Sequence, residues 1–467
     1  MEKPQGAAIS PSLRTLTRVP YASGDTAAPL LFLVQSEKCT RTGTSKCFLA
    51  LERILVHRFI FSATCLKERT MTRRKIAILT TSAVLLITAF VPTASAQADL
   101  FKSGKVRLVE ESRTADAGLP DEAVFRNPLH LAVDAKGNVY VSDWAAHHVK
   151  VFGPDGKFKR TIGRQGQGPG ELNGPSIIEV SGDRLVVWES MGSRFSILTL
   201  DGTFLNTAPR LQGAWGDLIR LKALPDGRFV AFLDKGLPEK FEGPLPSERN
   251  YAVLLLSPDL KVVKTLLEQS IRRRNWFRHP QTQAVGQAPF PFHPDIAVDV
   301  SAAGTLAIGH SQTYQIGLYN PDKGRTAEIN RPYSPVRIEE RDRKAHFDAF
   351  TLRVMVNREM QTVNGAPDYI VKATEFPENF PPYRGLSFDG RGNLWVQIYT
   401  ADRATNMFDI FSPKGEFVNR ITVEGGPIEA AFSSSGLKRF TGDFLWKIEK
   451  DADEFASLVK YRLTPGK

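Results

Sequence analysis

The chain has 467 residues, of which 61 are Lys or Arg and 50 are Asp or Glu, giving a formal net charge of +11. Residues 1–96 carry 13 basic and 5 acidic side chains, and the rest of the chain carries 48 and 45. The near balance after residue 96 argues against a nucleic-acid-binding surface. Cys39, Cys47 and Cys65 are the only cysteines, which excludes disulfides, cysteine-ligated metals and thiol nucleophiles after residue 65.

A signal peptide is predicted at residues 71–96. Basic residues after Met71 precede an apolar run, Ile76 to Val91, and small residues around Ala96 form a cleavage site. Since a signal peptide normally begins at the N-terminus, we expect residues 1–70 to be a non-native, disordered upstream extension; the alternative is a genuine leader with an internal membrane anchor. The apolar run is shorter than the roughly 20 residues that span a bilayer. We therefore expect a periplasmic or extracellular protein without a membrane span after cleavage.

Residues 97–128 are predicted to be a lead-in segment. Apolar side chains alternate with polar ones from Val106 to Val109, which is typical of a half-buried strand. We expect this strand to pair with Val459 to Leu463 and to close the ring described below, because an unclosed ring would leave exposed edges. The alternative is a loose N-terminal arm.

Residues 129–163 have the pattern of one complete small sheet. Four apolar or alternating segments are separated by turns rich in Asp, Gly and Pro, residues that favour tight turns. Both faces of such a sheet are apolar, so it must stack on copies of itself. The four segments are Leu129 to Val133, Val139 to Val141, His148 to Phe152 and Lys157 to Ile162.

Weaker copies of this sheet follow to the C-terminus. The first two intervals between the glycines of the first turn are 45 residues each, within the range of four-stranded propeller blades. Six copies within residues 129–467 predict an all-β fold, a six-bladed β-propeller of four-stranded antiparallel blades. The glycines are Gly137, Gly182, Gly227, Gly304, Gly392 and Gly442.

Three stretches carry a resemblance to known families. LHLAVDAKGNVYVSDWAAHHVKVFGPDGKF resembles an NHL-type repeat, and IGRQGQGPGELNGP resembles the linker between such repeats. PPYRGLSFDGRGNLWV resembles the corresponding blade of bacterial exported six-bladed β-propellers. The likeness covers most of Leu129 to Leu463 and is strongest in the first, second and fifth copies. It implies a fold more than an activity, because members of this group serve many roles.

Three insertions interrupt the repeats, at residues 234–250, 272–294 and 331–382. The first is rich in proline and charge, and the second is basic and aromatic. In the third, apolar side chains between Glu339 and Met360 predict a partly amphipathic helix. This places a helical insertion between blades 4 and 5, which is either a lid over the central channel or a cap that stabilises the ring.

Candidate ligand-binding residues are expected on one face of the ring, because propellers bind ligands there through the loops between blades. Guanidinium and aromatic groups in the second insertion suit an anionic ligand or an anionic sugar; the alternative is a solvated loop. The remaining candidates are residues of the blades that are expected to lie near the same face. The candidates are Arg272, Arg274, Trp276, Arg278, His130, Trp144, His148, Arg194, His310 and Arg384.

No catalytic motif stands out in the sequence. The Gly-x-Ser-x-Gly pattern of α/β-hydrolases is absent, and His147 and His148, read as neighbours in one strand, point to opposite faces and cannot share a metal. A lactonase-like calcium site would need carboxylates and amides from several blades. Side chains of that kind, without a distinguishing spacing, are Glu179, Glu189, Asn173, Asp295 and Asp299.

The leading hypothesis is an exported, monomeric propeller that binds a small-molecule, saccharide or protein partner without catalysis and without a cofactor. One alternative is a lactonase- or lyase-like enzyme that depends on a metal, with calcium as the expected ion. The other is a structural scaffold of the cell envelope, which predicts a broad apolar patch on the ring.

Overall fold

Antiparallel β-sheets make up most of the structure. The computed structural model describes residues 100–114, 119–211, 218–236, 248–272, 274–278, 285–356, 359–403, 405–425, 436–451, 453 and 455–466. The upstream extension and the signal peptide predicted within residues 1–96 therefore lie outside the described residues.

Six groups of four strands follow one another around a ring. Strand β1 (Lys105–Arg113) precedes blade 1, which comprises β2 (Pro128–Val133), β3 (Val139–Asp143), β4 (His148–Phe152) and β5 (Phe158–Ile162). Blade 2 comprises β6 (Pro175–Ser181), β7 (Arg184–Glu189), β8 (Arg194–Thr199) and β9 (Phe204–Pro209). Blade 3 comprises β10 (Leu218–Ala223), β11 (Phe229–Asp234), β12 (Glu248–Leu256) and β13 (Val262–Arg272), and is followed by a hairpin of β14 (Arg274–Arg278) and β15 (Val285–Pro289).

The second half of the chain repeats this arrangement. Blade 4 comprises β16 (Ile296–Val300), β17 (Leu306–His310), β18 (Gln315–Asn320) and β19 (Gly324–Asn330). The third insertion contains α1 (Glu340–Asp348), β20 (Thr351–Val356), β21 (Glu359–Asn364) and α2 (Asp368–Ala373). Blade 5 comprises β22 (Gly385–Phe388), β23 (Leu394–Ile398), β24 (Met407–Phe411) and β25 (Phe417–Glu424), and blade 6 contains β26 (Lys438–Thr441), β27 (Phe444–Lys450) and β28 (Ala456–Pro465).

Turn chemistry explains the first turn of the repeat. The Asp134 carboxylate accepts hydrogen bonds from the backbone N–H of Asn138 at 2.8 Å and from its side-chain amide at 2.7 Å. Gly137 supplies the positive φ, +80°, that the turn requires. In blade 5 Asp389 holds Asn393 in the same way, at 2.8 Å for both bonds. The Asp-x-x-Gly-Asn pattern thus forms a self-bonded turn between the two inner strands.

Hydrophobic cores lie between neighbouring blades. The described residues form six clusters of buried apolar side chains, and each cluster joins two blades that are adjacent in the ring. Between blades 1 and 2, for example, Tyr140 and Val149 share a cluster with Leu185 and Val187. Between blades 6 and 1, Trp446 and Leu131 share another. Six cores between six blades describe a closed six-bladed β-propeller, the fold predicted from the repeat.

The N-terminal strand joins the last blade. β1 pairs antiparallel with β28, with Leu108 opposite Leu463 and Arg113 opposite Val459. It also pairs in parallel with β25 over Lys105 to Arg107, so that blades 5 and 6 form one eight-stranded sheet. The first strand of the propeller is therefore the fourth strand of blade 6.

All three insertions leave the ring from one face. Within a blade the β2–β3 and β4–β5 turns lie at one end of the strands, and the β3–β4 connection and the linker to the next blade lie at the other. The insertion at 234–250 joins the second and third strands of blade 3, and the insertions at 272–294 and 331–382 are linkers between blades. We call this end the insertion face.

The third insertion differs from the helix predicted over Glu339 to Met360. Helix α1 ends at Asp348, and a hairpin, β20 and β21, follows. Apolar residues occupy alternate positions at Leu352, Val354 and Val356, which is the period of a strand, and two of the three are β-branched. The prediction was wrong for this half because it assigned a helix to a stretch in which apolar residues repeat every two positions. The insertion remains a helical one between blades 4 and 5.

His147 also differs from its predicted place in a strand. Its φ of +58° puts it in the turn before β4, which begins at His148. The His147 Nδ1 atom accepts a hydrogen bond from the backbone N–H of Gly174 at 3.1 Å. It therefore links blade 1 to the linker that enters blade 2.

Candidate functional site

The innermost strand of each blade places one residue at the same level of the central channel. These residues occupy corresponding registers opposite the second strand of their own blade. Five of the six are polar. We call this set the channel layer: Ala132, Glu179, Lys222, Asp299, Ser387 and Arg439.

Ion pairs connect the channel layer across blades. Arg439 of blade 6 donates to Glu179 of blade 2 at 2.7 Å, past the small side chain of Ala132 in blade 1. Asp299 of blade 4 accepts from the backbone N–H of Phe388 at 2.8 Å and from the hydroxyl of Ser387 at 3.1 Å. The layer therefore joins blade 6 to blade 2 across blade 1, and blade 4 to its neighbour, blade 5.

Two further cations approach Asp299 from blade 3. The Lys222 Nζ and Arg220 Nη1 atoms each lie 3.9 Å from Asp299 Oδ1. Arg220 is two residues before Lys222 on β10, and its guanidinium group also donates to the backbone carbonyl of Val298. Burial raises the pKa of Asp299, but Lys222, Arg220, the backbone N–H of Phe388 and Arg439 together bring it below its ordinary value.

Cations outnumber carboxylates in this cluster. Arg220, Lys222 and Arg439 face Glu179 and Asp299, so the fixed charge of the five groups is +1. The side chains of the three cations are 18%, 14% and 25% exposed, whereas those of the carboxylates are 1% and 7% exposed. Among these five groups, the exposed side-chain surface therefore belongs mainly to the cations.

Among the cations of this cluster, Lys222 is the one whose pKa is lowered. Burial is the largest cause that lowers its pKa, to about 8, and Arg439 lowers it further while Asp299 opposes the shift. The ammonium group is thus a cation whose charge is poorly compensated. An added anion would relieve that cost.

His130 lies beside the same cations. Its side chain is 95% buried, since the residue is 5% exposed, and its Nδ1 atom has no hydrogen-bond partner within the described part of the chain. Burial, followed by Lys222, Arg439 and Arg220, holds the pKa of His130 well below its ordinary value, so the ring is neutral. A Cβ atom on Gly436 would overlap this ring, which shows how closely the backbone before β26 encloses it. A buried polar atom without a partner is uncommon and calls for an explanation.

The second and third insertions contact each other on the insertion face. Arg272 forms an ion pair with Glu375 at 3.0 Å, and α2 lies against β14. The ring of Phe292 contacts those of Phe376 and Phe380, with centroids 5.9 and 4.8 Å apart. These contacts join the two insertions into one structure.

The third insertion is also tied to blade 5. Arg403, in the loop between β23 and β24, donates to the carboxylate of Asp342 in α1 at 2.7 Å. Phe380 stacks on Tyr399 with a centroid distance of 4.3 Å, and the guanidinium group of Arg384 lies 4.9 Å from the centroid of the same tyrosine ring. The insertion is therefore packed onto the ring by polar and aromatic contacts.

The predicted site residues do not form one group. His130 reaches the channel, while Arg272 and Arg384 belong to the contacts of the insertion face just described. Arg274, Trp276 and Arg278 lie on β14, and their side chains are outside the described residues.

Four other predicted residues hold blades, strands or linkers together. Trp144 Nε1 donates to Ser190 Oγ of blade 2 at 2.9 Å. Arg194 pairs with Glu189 at 3.0 Å and donates to the carbonyl of Gln167 in the linker at 2.8 Å.

The remaining two are histidines with lowered pKa values. His148 lies 2.9 Å from Lys150 Nζ, and burial, followed by Lys150, lowers its pKa to about 4. His310 Nδ1 lies 3.2 Å from the side-chain amide of Gln269, and burial lowers its pKa.

Sequence reasoning missed Arg220, Lys222 and Arg439 as a cluster. A signal was present in three of the six copies, where Glu179, Lys222 and Asp299 interrupt a largely apolar inner strand three or five residues before the turn glycine. Only the alignment of the strands shows that these positions face each other across the channel. Glu179 and Asp299, named above among possible calcium ligands, form ion pairs with these cations.

A search of the described residues finds no group of three or more His, Cys, Asp or Glu side chains arranged to hold a metal ion. Within the same residues, no helix has the length and apolar character needed to cross a membrane.

Comparison with known proteins supports the fold. Residues 121–209 match the model of the DUF5128 family, which is described as a 6-bladed beta-propeller. This match confirms the six-bladed propeller that the repeat and its resemblance predicted. No curated protein matches the chain in sequence.

Several solved structures are similar to this chain at low identity. A Bacteroides fragilis protein described as exported is 11% identical, covers 78% of this chain and 95% of its own, and has a TM-score of 0.42. A member of the DUF4221 family from Bacteroides vulgatus is also 11% identical, covers 78% of this chain and 99% of its own, and has a TM-score of 0.43. A luciferin-regenerating enzyme is 15% identical over 76% of this chain and 95% of its own, with a TM-score of 0.37.

Proposed function

We propose that this protein is an exported, non-catalytic binding propeller that takes a small ligand into the channel beneath its insertion face. The observation that carries the proposal is the unbalanced cluster inside the ring. A salt-bridge network that served only to hold blades together would pair its charges, because an unpaired buried charge is costly. Here the cations exceed the carboxylates, and one of them, Lys222, has its pKa lowered by burial first and then by Arg439.

The contacts of the insertion face support the same proposal. Two insertions that leave different blades are joined by Arg272 and Glu375 and by the packing of Phe292. A preformed surface of this kind binds a ligand with less loss of conformational entropy than separate mobile loops would. We propose that this face forms the entrance to the channel.

The chemistry of the channel favours binding over metal-assisted catalysis. A catalytic calcium ion would need several free carboxylate or amide oxygens. Glu179 and Asp299 each accept charge-assisted or backbone hydrogen bonds already, and the groups left facing the water are cations. The site is suited to an anion.

Export is proposed from the sequence of residues 71–96. The basic, apolar and small-residue segments follow one another in the order of a secretory signal. Fractionation of cells that produce residues 71–467 tests this directly. We expect residues 97–467 in the periplasm or the medium, and retention of an uncleaved chain in the cytoplasm would contradict it.

The binding role is tested with residues 97–467 and a panel of acidic, neutral and basic metabolites in the presence of a chelator. A ligand that binds the folded state alone raises the melting temperature by mass action. We expect an acidic compound to raise it, and mass spectrometry to recover that compound unchanged. Consumption of the compound, or a shift that the chelator abolishes and calcium restores, would support the metal-dependent enzyme instead.

A further inference from the structure

We infer that the channel layer, with Arg220 and His130, binds the carboxylate group of a small organic acid. The inference refines the proposed binding role by naming the ligand's chemical class and the atoms that hold it. It is independent of what else the insertion face binds.

The charge of the cluster selects the ligand's charge. Three cations and two carboxylates leave one positive charge inside the ring, and His130 contributes none because its ring is neutral. One carboxylate brings the sum to zero. A phosphate dianion would overshoot it and leave an excess negative charge enclosed among Glu179 and Asp299, which is unfavourable in a poorly solvated site.

Lys222 has hydrogen-bond donors to offer. In the described part of the chain its ammonium group makes no hydrogen bond, and its ion pair with Asp299 is 3.9 Å long, beyond hydrogen-bonding distance. An ammonium group has three N–H donors. A carboxylate oxygen beside Lys222 would satisfy donors that the protein leaves unused.

His130 supplies the second, independent observation. Its Nδ1 atom is buried without a partner, on the inner strand of blade 1 and among the same three cations. His130 stands opposite Ser142 in β3, and Arg220 stands opposite Phe232 in β11, which are equivalent registers two residues before the channel layer. The neutral imidazole and the Arg220 guanidinium group thus occupy the next level of the channel, beside the position we assign to the ligand.

Isothermal titration with sodium propionate, sodium benzoate and sodium phosphate tests the inference on residues 97–467 at constant ionic strength. We expect the two carboxylates to bind and phosphate to bind at least about tenfold more weakly. Lys222→Met keeps the length of the side chain and leaves Asp299 its bonds from Ser387 and Phe388. It should weaken carboxylate binding by about tenfold or more, the loss expected for one charge-assisted hydrogen bond.

Two further variants distinguish an effect of charge in the channel layer from an effect of damage to the fold. Lys323→Met removes an exposed cation from a turn on the opposite face and should leave the affinity unchanged. Glu179→Gln removes a negative charge from the layer and should raise carboxylate affinity several-fold, an effect that damage to the fold would not produce. Melting curves of all variants verify that they are folded.

The pH dependence gives an independent readout. Carboxylate affinity should fall as pH rises through about 8, where Lys222 loses its charge. The groups that face Lys222 are Arg220, Asp299, Glu179, Arg439 and His130. The pKa values of His130 and Asp299 are lowered and that of Arg439 is raised, in each case away from this range.

Equal binding by the Lys222→Met variant, stronger binding of phosphate, or lower affinity in Glu179→Gln would each overturn the inference. The broader binding role would stand if another acidic or neutral compound raised the melting temperature unchanged. The non-catalytic binding role would be contradicted if that compound were consumed.

Discussion

Blade 1 contains a buried ion pair between Lys150 and Asp143. The charged groups of Lys150 and Asp143 lie 3.4 Å apart, and their side chains are 1% and 0% exposed. Asp143 also accepts the backbone N–H groups of Arg126 and Asn127 at 2.8 Å each. The pair therefore fixes the segment that enters blade 1.

We predict that Asp143→Ala lowers the free energy of unfolding by about 3 kcal/mol, because it leaves Lys150 buried beside no counter-charge. Urea denaturation of residues 97–467 measures the change. Asp155→Ala is the control, since Asp155 pairs with Lys157 at 3.7 Å in an exposed turn, and it should leave the midpoint unmoved. Equal midpoints for the two variants would show that the buried pair has no special role.

At the scale of the element, strand β1 decides whether the ring is closed. Val106 and Leu108 are 0% and 7% exposed and belong to the core between blades 5 and 6, together with Trp395 and Leu463. Val109, the residue after Leu108, points to the other face of the strand and is 40% exposed. The strand thus contributes one face to the core and removes an exposed edge from β28.

We predict that Leu108→Ala costs about 2–3 kcal/mol of unfolding free energy, through lost burial and the cavity it leaves. Val109→Ala should cost no more than about 0.5 kcal/mol because its side chain is exposed. Denaturant titration of both variants provides the comparison. Similar losses, or none in either variant, would mean that β1 is attached loosely and does not stabilise the ring.

At the scale of the whole molecule, buried histidines make stability depend on pH. Burial lowers the pKa of each of five histidines, and for His148 and His293 the value is about 4. The unfolded chain takes up these protons near pH 6.5, whereas the folded protein does so only at lower pH. The unfolded state thus binds more protons in that interval, so stability is retained above about pH 6.5 and lost as pH falls toward 4.

We predict that the urea midpoint decreases between pH 7 and pH 5, a range that lies above the titration of ordinary carboxylates. His148→Gln should reduce this decrease, because one of the contributing groups no longer titrates. Midpoints of the wild-type protein and the variant at both values test the assignment. An identical decrease in the variant would exclude His148 as a contributor.

The sequence permits prediction of the repeat but not of the channel. Blade 1 is predictable because Asp134, Gly137 and Asn138 form a turn that is stabilised locally, between strands with a clear period of two. The third insertion is only partly predictable, because a short helix and a hairpin follow each other without a strong boundary signal after Asp348. The cluster around Lys222 depends on distant strands meeting at one level, which no local pattern encodes.

The most direct test is a pair of crystal structures of residues 97–467, grown in sodium acetate and in sodium chloride at equal ionic strength. The inferred site inside the ring holds one carboxylate. We expect planar carboxylate density within hydrogen-bonding distance of Lys222 Nζ and beside His130, in the acetate crystals alone. Water at that position in both crystals, with Lys222 bonded directly to Asp299, would contradict it.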